Sequence, residues 1–212
     1  MDFGEVRREY LKEKLDESML PENPMELFVH WLEEARGSGL TDPTAMTLST
    51  LGPDGMPSSR IVLLKKIESG KLLFFTSFKS RKAMEMNRDS KVAAHFYWSG
   101  LERQVKIAGS ASLVDETESD RYFHSRPFES KISTWISPQS EVIPSREYLD
   151  QAFQKLLQKY KKEDVIPRPE DWGGYAISPL RMEFWQGGLH RLHDRFEYIL
   201  KETRWIRVRL AP

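Results

Sequence analysis

From Thr44 to Val114 the chain reads as five β-segments separated only by turns and one short helix, and that succession limits the fold more than any other feature. TAMTLSTL (44–51) is followed by the turn chemistry GPDG (52–55), then SSRIVLLKKI (58–67), ESG and KLLFFTSF (71–78). KSRKAMEMNRDS (79–90) is a short helix that Ser80 can cap, and KVAAHFYW (91–98) and ERQVKIAGSASLV (102–114) are two more strands. Gly109 is expected to mark a bulge. GGYAIS with RMEFWQ, RLHDRFEYIL and RWIRVRL supply three further strand candidates in the tail. The βαβ alternation of a parallel sheet is missing, so the sequence predicts a mainly β (α+β) fold: an antiparallel barrel with flanking helices.

The helices are readable from their caps. Asn23 precedes Pro24, Glu26 stands at capping-box spacing, and Leu27, Phe28, Trp31, Leu32 and Ala35 form one apolar face before Gly37 and Gly39. Asp115–Ser125 and Ser145–Lys161 are also expected to be helical. DVIPRPEDWGG (164–174) reads as a loop, because the stretch of chain after it is too short to fold alone. The expected organisation is an N-terminal segment, residues 1–20, and a single domain over 21–212.

Lys plus Arg and Asp plus Glu are 32 each, which disfavours bulk attraction to nucleic acid or an anionic membrane while allowing a local basic pocket. The absence of cysteine excludes disulfides and thiolate catalysis. No apolar run approaches a membrane span, and the N-terminus has no signal-peptide core, so a cytoplasmic protein is expected.

Several clusters carry chemistry. Ser80, Arg81 and Lys82 open a helix, where free N–H groups favour an anion; their bland reading is a Ser cap with solvated bases. Tyr122, His124 and Arg126, with Ser130 soon after, suit a phosphate ester or a plain basic cap. On a strand Arg60 and Lys65 would face opposite ways, and Gln104 alternates with Lys106. In FWQGG (184–188) and RLHDRF (191–196), a continuous strand would put Arg191, His193 and Arg195 on one face, beside Trp185 and a Gly-Gly pair. His190 and His193 would then point to opposite sides, so no metal site is expected. P-loop, GxGxxG, GxSxG and EF-hand patterns are absent. The residues alone describe a β-rich domain that could grip one or two small, flat, phosphorylated ligands.

Taken in order, RREY (7–10), DPTAM (42–46), RIVLLK (60–65), FFTSFKSRKA (74–83), LERQV (101–105), YFHSRP (122–127), PQS (138–140), IPSRE (143–147), WGGY (172–175), FWQGG, RLHDRF and RLAP (209–212) resemble the pyridoxine/pyridoxamine 5'-phosphate oxidase family. The pieces span nearly the whole chain. The resemblance implies an FMN-binding split β-barrel working as a homodimer, with flavin at the subunit interface. It implies oxidation of pyridoxine 5'-phosphate or pyridoxamine 5'-phosphate to pyridoxal 5'-phosphate, with C4' facing flavin N5 and O2 reoxidising the flavin to give H2O2. The alternative is a split-barrel carrier that holds FMN or pyridoxal phosphate without turnover.

By position, the resemblance gives FMN binding to Arg60, Ile61, Val62, Leu63, Leu64, Lys65, Phe75, Thr76, Arg81, Lys82, Gln104, Gln139, Ser140, Trp185 and Arg195. It gives substrate binding to Lys65, Tyr122, Arg126, Ser130, Arg191, Leu192 and His193, with Arg7, Arg8, Glu9 and Tyr10 closing over the substrate as part of a mobile N-terminal segment. Arg191 and His193 would be catalytic, with Asp42 assisting proton movement. Two departures stand out: Ser133 where many relatives have Gly, and Phe75 where Tyr is frequent, so that any role there rests on the ring.

Overall fold

The computed structural model describes residues 1–2, 4–5, 9–161 and 165–212. Nine strands form one antiparallel sheet: β1 (Ala45–Leu51), β2 (Pro57–Leu63), β3 (Lys66–Glu68), β4 (Lys71–Ser77), β5 (Lys91–Trp98), β6 (Arg103–Leu113), β7 (Trp172–Gln186), β8 (Asp194–Lys201) and β9 (Arg204–Leu210). The order is β2-β1-β5-β6-β7-β4-β3, with β8 beside β7 and β9 beside β8.

β7 is where the barrel splits. It pairs with β6 over residues 175–186, while on its other side β4 takes residues 172–177 and β8 takes 181–186. Pro179 falls in the gap between those partners, where its missing N–H costs no ladder bond. Opposite it the register slips between Ala108 and Gly109. A Cβ on Gly109 would lie 2.1 Å from the Ser178 carbonyl oxygen, so the bulge needs a residue without one.

The helices are α1 (Pro24–Gly37), α2 (Arg81–Arg88), α3 (Glu116–Ser125), α4 (Phe128–Ile136) and α5 (Arg146–Lys159). Asn23 caps α1 through Met25 N–H (3.0 Å), and Asp115 and Ser145 cap α3 and α5. The buried face of α1 sets Phe28 against Phe96 and Trp98, and Trp31 edge-on to Phe184. Phe28, Phe96, Phe184 and Phe196 are fully buried, each stabilising the core by about 2–3 kcal/mol. Leu15 and Leu20, from the N-terminal segment, belong to this same core, and Glu102 accepts the backbone N–H groups of Leu11 and Lys12 (2.9 and 3.1 Å). A second cluster around Phe123, Ile132, Ile166 and Trp172 joins α3, α4 and α5 to the start of β7.

The structure corrects four local expectations. SSRIVLLKKI is two strands, because Leu64 turns into the core and Lys65 N–H bonds the Leu73 carbonyl (2.8 Å). RLHDRFEYIL is a strand only from Asp194; Leu189–Arg191 is a 3-10 turn with His190 and Arg191 in the left-handed region (φ 54° and 63°). α4 was not anticipated. Ser80 stands at the N-cap of α2, but its side chain makes no capping bond.

Candidate active site

A groove of about 930 Å³ opens between β2, β4, the start of α2 and the α3–α4 corner. Among the described residues five cations line it, Arg60, Lys65, Arg81, Lys82 and Arg126, and no carboxylate does. In a chain of zero net charge that imbalance is a local arrangement, and it favours anions. The break after β2 produces part of it, bringing Arg60 and Lys65 to one groove rather than to opposite faces.

The cations differ in their commitments. Arg60 reaches inward and pairs with buried Glu85 (3.1 Å), while Nη1 donates to the Leu48 carbonyl (3.2 Å). Burial pushes the Glu85 carboxyl up, but hydrogen bonds from Thr50 and Arg60 outweigh it and hold the group below the usual carboxylate range. Among the described residues, Lys65, Arg81, Lys82 and Arg126 have no carboxylate within ion-pair distance. Lys82 is buried; its ammonium donates to Thr76 Oγ1 (3.0 Å) and Gln139 Oε1 (3.3 Å). Burial first, then the Arg60 charge, lowers its pKa to about 8. Gln139 also accepts from the Thr76 hydroxyl (2.9 Å) and Ser77 N–H (3.3 Å), and Ser140 Oγ accepts Arg81 N–H (3.2 Å). The start of α2 thus gathers a buried ammonium, a guanidinium and a helix end, where the Ser80 hydroxyl pairs with that of Thr76 (3.4 Å) instead of capping the helix.

At the other end stand Tyr122, Arg126 and Ser130. Phe75 stacks on Tyr122 (centroids 3.9 Å apart, planes 17° off) and faces Trp172 at 5.7 Å, so its ring forms part of an aromatic wall. The Arg126 guanidinium lies 4.9 Å over the Trp172 ring. Burial lowers the pKa of Arg126 and raises that of Tyr122, leaving the phenol protonated and able to donate.

A second group of expected residues assembles elsewhere. Strand register sets Gln104 opposite Trp185, and Trp185 opposite Arg195, in one row across β6, β7 and β8. Arg195 is fixed by Glu183 (Nε to Oε1 2.9 Å) and by the Ala211 carbonyl (2.7 Å), and Gln104 bonds His95 (3.1 Å). His193 packs against Trp185 with centroids 4.6 Å apart and planes tilted by 44°, and Tyr10 meets both rings edge-on. Gly188 N–H donates to His193 Nδ1 (3.1 Å), which leaves the ring neutral with its proton on Nε2. Burial, then Arg191 and Arg195, lowers the His193 pKa below the ordinary imidazole value.

Some expected residues stand apart. Leu64 packs in the core, outside the groove lining, because the chain bends there. Arg191 does not share a strand face with Arg195, since the left-handed pair at 190–191 and the tight return at Gly188 take it off the sheet; Arg191 and Leu192 are exposed. Asp42 is exposed in the turn before β1 (φ 51°) and lines neither the groove nor the hollow at His193. Glu9 is exposed, and Arg7 and Arg8 lie outside the described residues. Sequence reading missed Trp172 and Thr134 as groove residues; the Trp-Gly-Gly triplet was a signal for the first, but nothing local marked the second. Among the described residues no cluster of His, Asp and Glu is arranged to hold a metal, and no helix is long and apolar enough to cross a membrane.

Residues 32–160 match the family model described as pyridoxamine 5'-phosphate oxidase, and residues 172–212 match the pyridoxine 5'-phosphate oxidase C-terminal dimerisation region. The chain belongs to the pyridoxine/pyridoxamine 5'-phosphate oxidase family. A relative of that name from Shewanella putrefaciens is 47% identical over 211 residues, covering 100% of this chain and 99% of its own. Another, from Hydrogenovibrio crunogenus, is 45% identical with the same coverage. The crystal structure of PhzG from Burkholderia lata, in complex with tetrahydrophenazine-1-carboxylic acid, superposes with TM-score 0.89 at 29% identity, covering 95% of this chain and 99% of that one. In this oxidase-family chain the row Gln104–Trp185–Arg195 runs into the dimerisation region, through which the protein forms a homodimer.

Proposed function

We propose that the protein oxidises the C4' position of pyridoxine 5'-phosphate or pyridoxamine 5'-phosphate to the aldehyde of pyridoxal 5'-phosphate, with FMN as cofactor. The observation that carries this is the groove: four cations without carboxylate partners among the described residues, divided between its two ends, with the stacked rings of Phe75, Tyr122 and Trp172 beside them. Two phosphate esters require two cationic ends, and about 930 Å³ lies at the upper end of the range for small-molecule sites.

The start of α2 fits the flavin phosphate. Arg81 and Lys82 supply charge there, the Ser140 hydroxyl and the helix end supply donors, and Thr76 holds the Lys82 ammonium in place. Lys65, Tyr122, Arg126 and Ser130 fit the phosphate of the smaller pyridine. Gln104, Trp185 and Arg195 line a different surface of the same chain, so they would reach a flavin held by the partner copy. The neutral ring of His193 and the free charge of Arg191 would orient the substrate, and Tyr10 would shield that side from water. When bound, FMN supplies the two-electron acceptor, and O2 regenerates it with release of H2O2.

Protein loaded with FMN is expected to be yellow, to bleach with pyridoxine 5'-phosphate in the absence of air, and to recover colour with oxygen uptake when air is admitted. A carrier without turnover would keep its colour. Colourless protein that gains no activity from added FMN would sink the proposal.

Lys82 gives a pH signature. Free Lys82 loses its proton near pH 8, and a bound phosphate dianion would raise that value. Binding therefore takes up a proton above pH 8, so FMN affinity should fall as pH rises from 8 towards 9.5, by up to about tenfold per unit. Titrating flavin fluorescence quenching across that range checks it, and Lys82→Met should bind weakly with a flat profile.

A further inference from the structure

We propose that Thr134 is a positioning residue, whose hydroxyl sets the Arg126 guanidinium in the orientation that meets the substrate phosphate. This rests on the proposed role of that end of the groove in holding the vitamer. Thr134 is half-buried on α4 and lines the groove. Its hydroxyl is used in both directions: it donates to the Ser130 carbonyl one turn earlier (2.9 Å) and accepts from Arg126 Nη1. The carbonyl fixes where the proton points, and so fixes the lone pair that Arg126 meets.

Among the described residues Thr134 is the hydrogen-bond acceptor of the Arg126 side chain, and no carboxylate pairs with that guanidinium. Its other restraints are two ring faces, Trp172 at 4.9 Å and Phe123 at 6.0 Å. Stacking sets the height of a planar cation above a ring but leaves it free to turn in its own plane. A hydrogen bond at one nitrogen removes that freedom. A carboxylate at position 134 would orient the group equally well but would neutralise it. A hydroxyl orients it and leaves the full charge for a ligand.

The test compares Thr134→Val, which keeps the shape, with Thr134→Ser, which keeps the hydroxyl. With FMN-loaded protein, Thr134→Val should raise KM for pyridoxine 5'-phosphate about tenfold, the order set by one hydrogen bond to a charged group. Its kcat should stay within about twofold, with flavin content and Tm unchanged, and Thr134→Ser should restore KM. The Kd for pyridoxal 5'-phosphate, read from its absorbance, should follow the same pattern, and this second readout needs no turnover. Unchanged KM and Kd in Thr134→Val would overturn the proposal, as would equal losses in both variants or a parallel fall in flavin content. If the wild-type protein oxidises neither vitamer, the functional reading fails, and the Kd series still decides the role of Thr134.

Discussion

Arg126→Ala is expected to lower kcat/KM for pyridoxine 5'-phosphate by roughly a hundredfold or more while leaving FMN bound. The guanidinium is half-buried over the Trp172 ring, and among the described residues it has no carboxylate to share its charge with. Water has already been partly stripped from it, so a phosphate that replaces that water gains a strong charge-assisted contact. Removing one partner of such a pair costs about 2–5 kcal/mol, because the phosphate is then left in the groove without its counter-charge. The end proposed for flavin, at Arg81 and Lys82, is held by other residues and should not notice. Steady-state kinetics with the flavin absorbance recorded on the same sample check both halves. A variant that loses flavin and activity together would place Arg126 at the wrong end of the groove.

Gly109→Ala is expected to destabilise the fold by about 3 kcal/mol or more, lowering Tm by roughly 6–12 °C. The added carbon would meet the Ser178 carbonyl oxygen at 2.1 Å and its carbon at 2.9 Å. Both are backbone atoms of β7, so no side chain can rotate out of the way. Relief requires β6 or β7 to move, and β7 is held on its other side by β4 and β8. Ser112→Ala, exposed on the same strand, is the control and should change stability by no more than about 0.5 kcal/mol. Thermal melts followed by circular dichroism give the comparison, and a Gly109→Ala melt within about 2 °C of wild type would refute the close approach.

What the sequence made legible was local. Asn23 was readable as a cap, and the helices that start at Asp115 and Ser145 were readable as helices, because a side-chain oxygen two or three residues ahead of a free N–H is a short-range matter; Ser80, read as a cap by the same rule, makes no capping bond. Alternation of apolar residues marked β1, β5 and β6, and the lone glycine at 109 marked the bulge. Continuity was harder to see. Nothing in RIVLLKK says that Leu64 will turn into the core, because the pull comes from partners distant in sequence, in the buried cluster. The same holds for RLHDRF, where alternating charge imitates a strand while two left-handed residues break it. The candidate site followed this division. The basic residues at the start of α2 and at the α3–α4 corner were visible as clusters. Their shared groove, the freedom of four of them from carboxylates among the described residues, and the link from Thr134 to Arg126 depend on packing.

β7 has a consequence for what the molecule can tolerate. Trp172, at its first residue, forms a wall of the groove, and Trp185, near its last, stands in the row with Gln104 and Arg195. β7 runs fifteen residues without a turn, but its ladder with β6 slips once, where Leu180 falls between the partners of Ala108 and Gly109. Loops elsewhere in the chain can lengthen or shorten at little cost, but a residue added to either paired stretch of β7 would turn every later side chain to the opposite face. That single slip is therefore part of what sets the two tryptophans on their surfaces, and a second one would undo it.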